Sequence, residues 1–183
     1  MTSPASATTS LLLDEFVTEA RNAVATVEVV DRNPRALSDA ILAKAGDAHR
    51  ILFAPPQVMS PELFAPFASD PRVITEPDPE QMVHSAVGVT EAFAGVARTG
   101  SVCVDVNYQR TAVVSLLAPL HIAVLAAENI VPQLRDMFRP DVLNGEGLTR
   151  DFVFITGPSA TADMGPLVRG VHGPHRLHVI VVR

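Results

Sequence analysis

The feature that most constrains this chain is a set of short, uninterrupted apolar runs. They are Ile51-Leu-Phe-Ala54, Ser101 to Val106, His121 to Leu125, Phe152 to Thr156 and Leu177 to Val182. A strand wetted on one face alternates apolar and polar residues, whereas a strand covered on both faces reads as a continuous apolar run. Segments of helical spacing separate these runs. Residues 11–30 carry Leu12, Leu13, Phe16, Val17, Ala20, Ala23, Val24 and Val27, with Ser10 placed as an N-cap. Residues 35–46 read as a second helix, closed by Gly46. Helices alternating with doubly buried strands predict an α/β sandwich on a mostly parallel sheet, with a hairpin mixed in.

The remaining segments are shorter. Residues 60–67 hold one helical turn with Pro61 at its first position, and Val73 to Thr75 is a short strand. Pro79 to Ala86 reads as a short helix. Ala112 to Leu117 reads as a strand after a hairpin connection at Asn107 to Arg110, and residues 129–138 as a helix starting at Pro132. Leu143 to Arg150, with Gly145 and Gly147, is expected to be a mobile loop. Residues 1–10 are small and polar and are expected to form a disordered tail, leaving 11–183 as a single domain. The apolar stretch 112–127 is shorter than the ~20 residues of a membrane helix and is broken by Pro119 and His121, so no membrane insertion is expected.

Composition removes several function classes. Lys plus Arg come to 14 and Asp plus Glu to 20, a net charge of −6. Lys44 is the single lysine and the arginines are scattered along the chain, so no nucleic-acid partner is expected. Cys103 is the single cysteine, which excludes a disulfide framework and any cysteine-built zinc or iron–sulfur site. A reducing cytoplasm fits that usage, as does the lack of a leader-like segment at the start.

No phosphate-loop, dinucleotide, nucleophile-elbow or zinc-helix motif is present. Three loops carry the chemistry that remains. In the first, a strand runs into Gly157-Pro-Ser159-Ala-Thr161-Ala-Asp163, where glycine, backbone amides and small hydroxyls suit a carboxylate or phosphate. The same residues also read as simple helix capping, with Asp163 favouring the dipole. In the second, Gly170-Val-His172-Gly173-Pro174-His175-Arg176-Leu-His178 spaces three histidines by three. The Gly173-Pro174 turn argues against a metal site, and none is expected. His172 reads as a hydrogen-bonding or acid–base group, or as a loop histidine bonded to a carbonyl. The third comprises Gly88-Val-Thr90 and Arg98-Thr99-Gly100-Ser101, hydroxyls and a glycine just ahead of a buried strand, and also a plain turn. His121, alone between apolar runs, reads as a core histidine rather than a catalyst.

Taken in order, Gly88-Val-Thr90, Ala97-x-Thr99-Gly100, Ser115-Leu-Leu-x-Pro119, Ile122-Ala-Val-Leu125, Gly157-Pro-Ser159-x-Thr161-Ala-Asp163 and Gly170-Val-His172-Gly173-Pro174 resemble the LUD-domain family over residues 88–183. The resemblance implies a three-layer fold like that of sugar-phosphate isomerases and CoA transferases. It implies an accessory role in cytosolic oxidation of L-lactate to pyruvate beside iron–sulfur partner proteins, with a small anionic ligand held at the strand-end loops. Thr90, Arg98, Thr99, Gly100, Gly157, Ser159, Thr161, Asp163, His172 and Gly173 are the expected ligand-binding residues, with His172 the candidate for proton transfer. Arg98 stands where many relatives carry an acid. No cofactor is expected, and a homo-oligomer is compatible with this reading. The alternative is a stand-alone isomerase, transferase or cyclo-ligase acting on a sugar phosphate, CoA ester or folate. Whether the chain is itself an enzyme stays open at this level.

Overall fold

The computed structural model describes residues 4–107, 110–143, 151–163 and 165–183. In chain order the helices are α1 (Pro4–Asn22), α2 (Pro34–Ala45), α3 (Ala65–Ala68), α4 (Pro79–Val83) and α5 (Thr111–Leu117). The strands are β1 (Thr26–Val30), β2 (Ile51–Phe53), β3 (Val73–Ile74), β4 (Val87–Ala92), β5 (Ala94–Val96), β6 (Ser101–Asp105), β7 (Leu120–Ala126), β8 (Ile130–Val131), β9 (Phe152–Ile155), β10 (Ala160–Thr161), β11 (Val168–Arg169) and β12 (Arg176–Val182). The central sheet is six-stranded and all-parallel in the order β1-β12-β7-β4-β2-β3. A second, four-stranded sheet runs β8-β5-β6-β9, and β10 pairs with β11 as a small ribbon.

Alternation along β7 and β12 assembles the layers. Ile122, Val124, Ile180 and Val182 point to one face, where they meet Leu37 and Ile41 of α2 and the rings of Phe53, Phe64 and Phe67. Ala123, Leu125, Val179 and Val181 point to the other, against Phe16 and Ala20 of α1 and Val102 and Val104 of β6. Helices, parallel sheet, then α1 with the small sheet make the expected three layers. Cys103 faces the far side of the small sheet, packed near Met137, and burial pushes its thiol pKa up, so the thiol stays protonated.

Several boundaries differ from the sequence reading. The first helix is drawn from Pro4, inside the expected tail, and stops at Asn22 rather than continuing to residue 30. Val24 takes a left-handed turn at φ 67°, and Thr26–Val30 becomes edge strand β1 beside β12. Its β-branched residues favour extended backbone, and their spacing had matched a helix by coincidence. Residues 111–117 are helix α5 rather than a strand, an ambiguity inherent in short apolar runs. Gly88-Val-Thr90 lies inside β4, not in a loop. Residues 129–138 split into β8 and a tight 3-10 turn at Leu134–Phe138. The second helix keeps its expected place, with Asn33 Oδ1 accepting from the Arg35 and Ala36 amides as N-cap. Two expectations, the 143–150 loop and the 107–110 connection, fall largely outside the described residues.

Helix α5 lies on β4 because residue 88 has no side chain. A Cβ there would sit 2.0 Å from the Val114 carbonyl oxygen. Gly88→Ala must therefore lift α5, at a cost of ~1–3 kcal/mol for overpacking. At ~2–4 °C per kcal/mol for a chain of this size, the thermal midpoint should fall by ~2–12 °C. An unchanged midpoint would contradict the seating of α5 on β4.

Candidate functional site

Helix α5 ends over the amino-terminal end of the central sheet, and a cleft opens beside that end. Ser115 and Leu116 come from α5, His121 from β7 and Leu177 from β12. His121 and Leu177 are register partners at the second positions of their strands. Val153 to Ile155 of β9, the Thr156–Ser159 loop and the His172–Pro174 loop complete walls enclosing about 290 Å3. The walls are mostly apolar, and no Lys, Arg, Asp or Glu is among the described residues lining them.

His121 is the polar group at the base of this cleft. It is fully buried, and its Nε2 lies 2.8 Å from the Thr90 hydroxyl of neighbouring β4. Its Nδ1 has no hydrogen-bond partner among the described residues. The Thr90 hydroxyl is also fully buried and has no other partner there. A buried hydroxyl keeps its proton bonded by donating it, so Nε2 accepts from Thr90 and the imidazole proton sits on Nδ1. Burial pushes the His121 pKa down to about 4, so the ring is neutral near pH 7. The imidazole that lines the cleft thus keeps a neutral, buried N–H donor without an acceptor among the described residues.

The other expected residues distribute unevenly. Gly157, Ser159, His172 and Gly173 all line this cleft, and Thr90 stands one hydrogen bond behind it. Thr99 reaches it only through two hydrogen bonds, to Ser101 at 2.6 Å and from Ser101 to the cleft-lining Thr156 hydroxyl at 2.7 Å. The Ser159 amide donates to the Pro174 carbonyl, and Ser159 accepts from the Gly170 amide, which ties the two loops together. Gly100 and Gly157 both have positive φ; a Cβ on Gly100 would strike the Ala20 amide of α1 at 2.0 Å, and one on Gly157 the Ala23 carbonyl just beyond α1 at 2.0 Å. Their primary work is to seat α1 and the loops that flank the cleft. Arg98 is exposed in a 3-10 turn off the cleft lining, its amide donating to Pro132. Thr161 sits in β10 and Asp163 is exposed beyond it; neither lines the cleft. The three spaced histidines diverge: His172 lines the cleft, His175 lies outside it, and His178 is in β12 with Nδ1 2.7 Å from Thr26 Oγ1. Among the described residues no three His, Cys, Asp or Glu side chains converge on a metal position.

His121 and Ser115 were not expected at the site. The signal was present in the Leu-His-Ile order, a single imidazole breaking a doubly buried strand. The opposite, carboxyl end of the sheet is the usual ligand position in open α/β folds. There Glu91 ends β4 with its carboxylate turned onto a loop, accepting from the Gln57 amide at 2.6 Å, the Val58 amide at 2.9 Å and the Met59 amide. That carboxylate is occupied in holding the β2–α3 connection.

Comparisons with known proteins point one way. The family model described as the LUD domain matches residues 64–182, more than half of the chain. "Lactate utilization protein C" of Bacillus subtilis (strain 168) is 36% identical over 100 residues, covering 52% of this chain and 42% of that protein. "Lactate utilization protein B" of Bacillus pumilus (strain SAFR-032) is 29% identical over 111 residues, covering 56% of this chain and 21% of that protein. The chain therefore spans less than half the length of these curated relatives. The crystal structure of a DUF162 family protein from Deinococcus radiodurans superposes with a TM-score of 0.70 at 21% identity, over 96% of this chain and 98% of that one.

The buried imidazole makes stability depend on pH with a definite sign. His121 titrates at about 4 when folded against an ordinary 6.5, so the unfolded chain binds the proton first as pH falls. Its contribution is complete above pH 6.5 and is lost toward pH 4. His178, also depressed to about 4 by burial and by Lys44, acts in the same direction. Urea midpoints should fall steeply between pH 6.5 and 4.5 and less steeply in His121→Asn; equal slopes would contradict a buried neutral His121.

Proposed function

This chain belongs to the LUD-domain family, and we propose on that premise that it serves L-lactate utilization by holding a small 2-hydroxy or 2-oxo carboxylate in the cleft above His121. The observation that carries this reading is a fully buried imidazole lining that cleft whose Nδ1 has no hydrogen-bond partner among the described residues. An Nδ1–H donor matches a carboxylate or keto oxygen, and the Thr156 and Ser159 hydroxyls offer further hydrogen bonds at the same opening. The apolar walls receive the methyl group. His172 at the loop rim is the group positioned to hold or release a proton near the ligand's oxygens.

Converting lactate to pyruvate removes two electrons and two protons. A single, buried cysteine cannot build an iron–sulfur cluster; in this reading, which rests on the family resemblance, the electrons pass to iron–sulfur partner proteins in the cytoplasm. The names of the relatives, lactate utilization proteins C and B, support a multi-component system of that kind.

Thermal unfolding against pyruvate and L-lactate tests the reading. A ligand at 100 times its Kd adds ~2.7 kcal/mol. That should raise the midpoint of the native chain by ~5–11 °C. His121→Asn and Ser159→Ala should lose the shift, while Arg98→Ala, off the cleft lining, should keep it. Loss in Arg98→Ala with retention in His121→Asn would move the ligand out of this cleft. A shift only with CoA esters or folates would replace lactate utilization with a stand-alone transferase or cyclo-ligase.

A further inference from the structure

A second hollow, of about 160 Å3, lies on the other side of the Pro158 loop from the cleft. Lys44, Arg169, His175 and Arg176 line it, together with the Thr26 side of β1. The sequence scatters these residues over 130 positions, and the fold collects them. Lys44 is in the last turn of α2. Arg169 ends β11 and Arg176 opens β12, and the intervening turn folds tightly enough that a Cβ on Gly170 would strike the His175 ring. The ties from the Ser159 amide to Pro174 and from the Gly170 amide to Ser159 fix the turn against the Thr156–Ser159 loop.

The charges make this arrangement unusual for a chain of net charge −6. Arg32, Arg72, Arg139 and Arg183 each pair with a carboxylate, Glu128, Asp70, Asp141 and Asp31 respectively. Among the described residues Lys44, Arg169 and Arg176 pair with no carboxylate, and no Asp or Glu lines the hollow. Glu28, on the adjoining strand, is not among the residues that line the hollow. Gathering three cations without a counter-ion is repulsive, and an anion seated among them relieves that repulsion.

We propose that this hollow is a binding site for a phosphate group. Two guanidinium forks and an ammonium at one hollow carry more positive charge and more N–H donors than one carboxylate can use, which suits a phosphate dianion with its additional oxygens. Pro158 and Leu177 line both the hollow and the His121 cleft. A phosphomonoester seated here can extend its organic part past Pro158 toward the cleft, whereas free phosphate fills the hollow alone. The site stands on the cationic cluster and is independent of the lactate reading.

Calorimetric titration of the full chain with inorganic phosphate and with phenyl phosphate, at an ionic strength held constant by sodium chloride, tests it. Saturable binding should weaken ~10-fold in each of Lys44→Gln, Arg169→Gln and Arg176→Gln, the loss expected for one charge-assisted hydrogen bond. Arg135→Gln, an exposed arginine elsewhere, should bind like the native chain. Tighter binding of phenyl phosphate identifies an organic phosphate as the occupant, and equal binding identifies the free ion. Absence of saturable phosphate binding, or equal affinity in all four variants, overturns the proposal. Loss of pyruvate binding with phosphate binding intact would refute the lactate reading alone.

Discussion

Strands β7 and β12 are buried along both faces for nearly their whole length, and the rest of the molecule is arranged to keep them dry. Parallel strands require crossovers, and crossovers place helices on the sheet faces. Here α2 and α3 cover one face. The other is covered by α1 and, unusually, by a second small sheet whose inner residues Val102 and Val104 interdigitate with Leu125 and Val179. Close approach on that face depends on missing side chains. Gly88 admits α5, Gly100 admits α1, and Gly157 admits the turn at Ala23 that follows it. The cleft is what remains between the end of α5, the starts of β7 and β12, and β9 at the edge of the small sheet.

Into this dry environment the chain places an imidazole and a hydroxyl. A buried polar atom without a partner costs free energy, so the Thr90–His121 pair is a liability to folding on one ring nitrogen and satisfied on the other. Thr90 acts on the cleft without touching it, by setting which nitrogen carries the proton. Keeping His121 uncharged keeps the cleft neutral. The positive charge instead lies on the far side of the Pro158 loop, around Lys44, Arg169 and Arg176. One loop therefore separates a neutral, hydrogen-bonding compartment from a cationic one.

Much of the architecture was legible in the chain. The continuous apolar runs became β2, β6, β7, β9 and β12, and residues 34–45 became a capped helix, because burial on both faces leaves a run without polar interruptions. The misreadings share one cause: period is undefined in short segments. Ala112 to Leu117 satisfies strand and helix alike, and Val24 and Val27 extend a helical stripe into what pairs as β1. Of the residues singled out in the chain, Gly157, Ser159, His172 and Gly173 do come together around one cleft, although each also had a plain reading as a cap or turn. His121 was not legible as a site residue, since a lone histidine in an apolar run looks like core; its significance rests on Thr90, brought beside it by the β4–β7 pairing. The basic hollow was illegible for the same reason, its members being adjacent only after β11 and β12 close around the Gly170 turn.

The most direct test of the account is the protonation and tautomer of His121, read from long-range nitrogen–proton NMR correlations of the imidazole rings before and after adding pyruvate. The account predicts a neutral ring with its proton on Nδ1 at pH 7, and a shift of that proton on saturation while the Thr90-bonded Nε2 stays an acceptor. A ring protonated on Nε2, or an Nδ1–H signal indifferent to pyruvate and lactate, would contradict the claim that this cleft reads its ligand through His121.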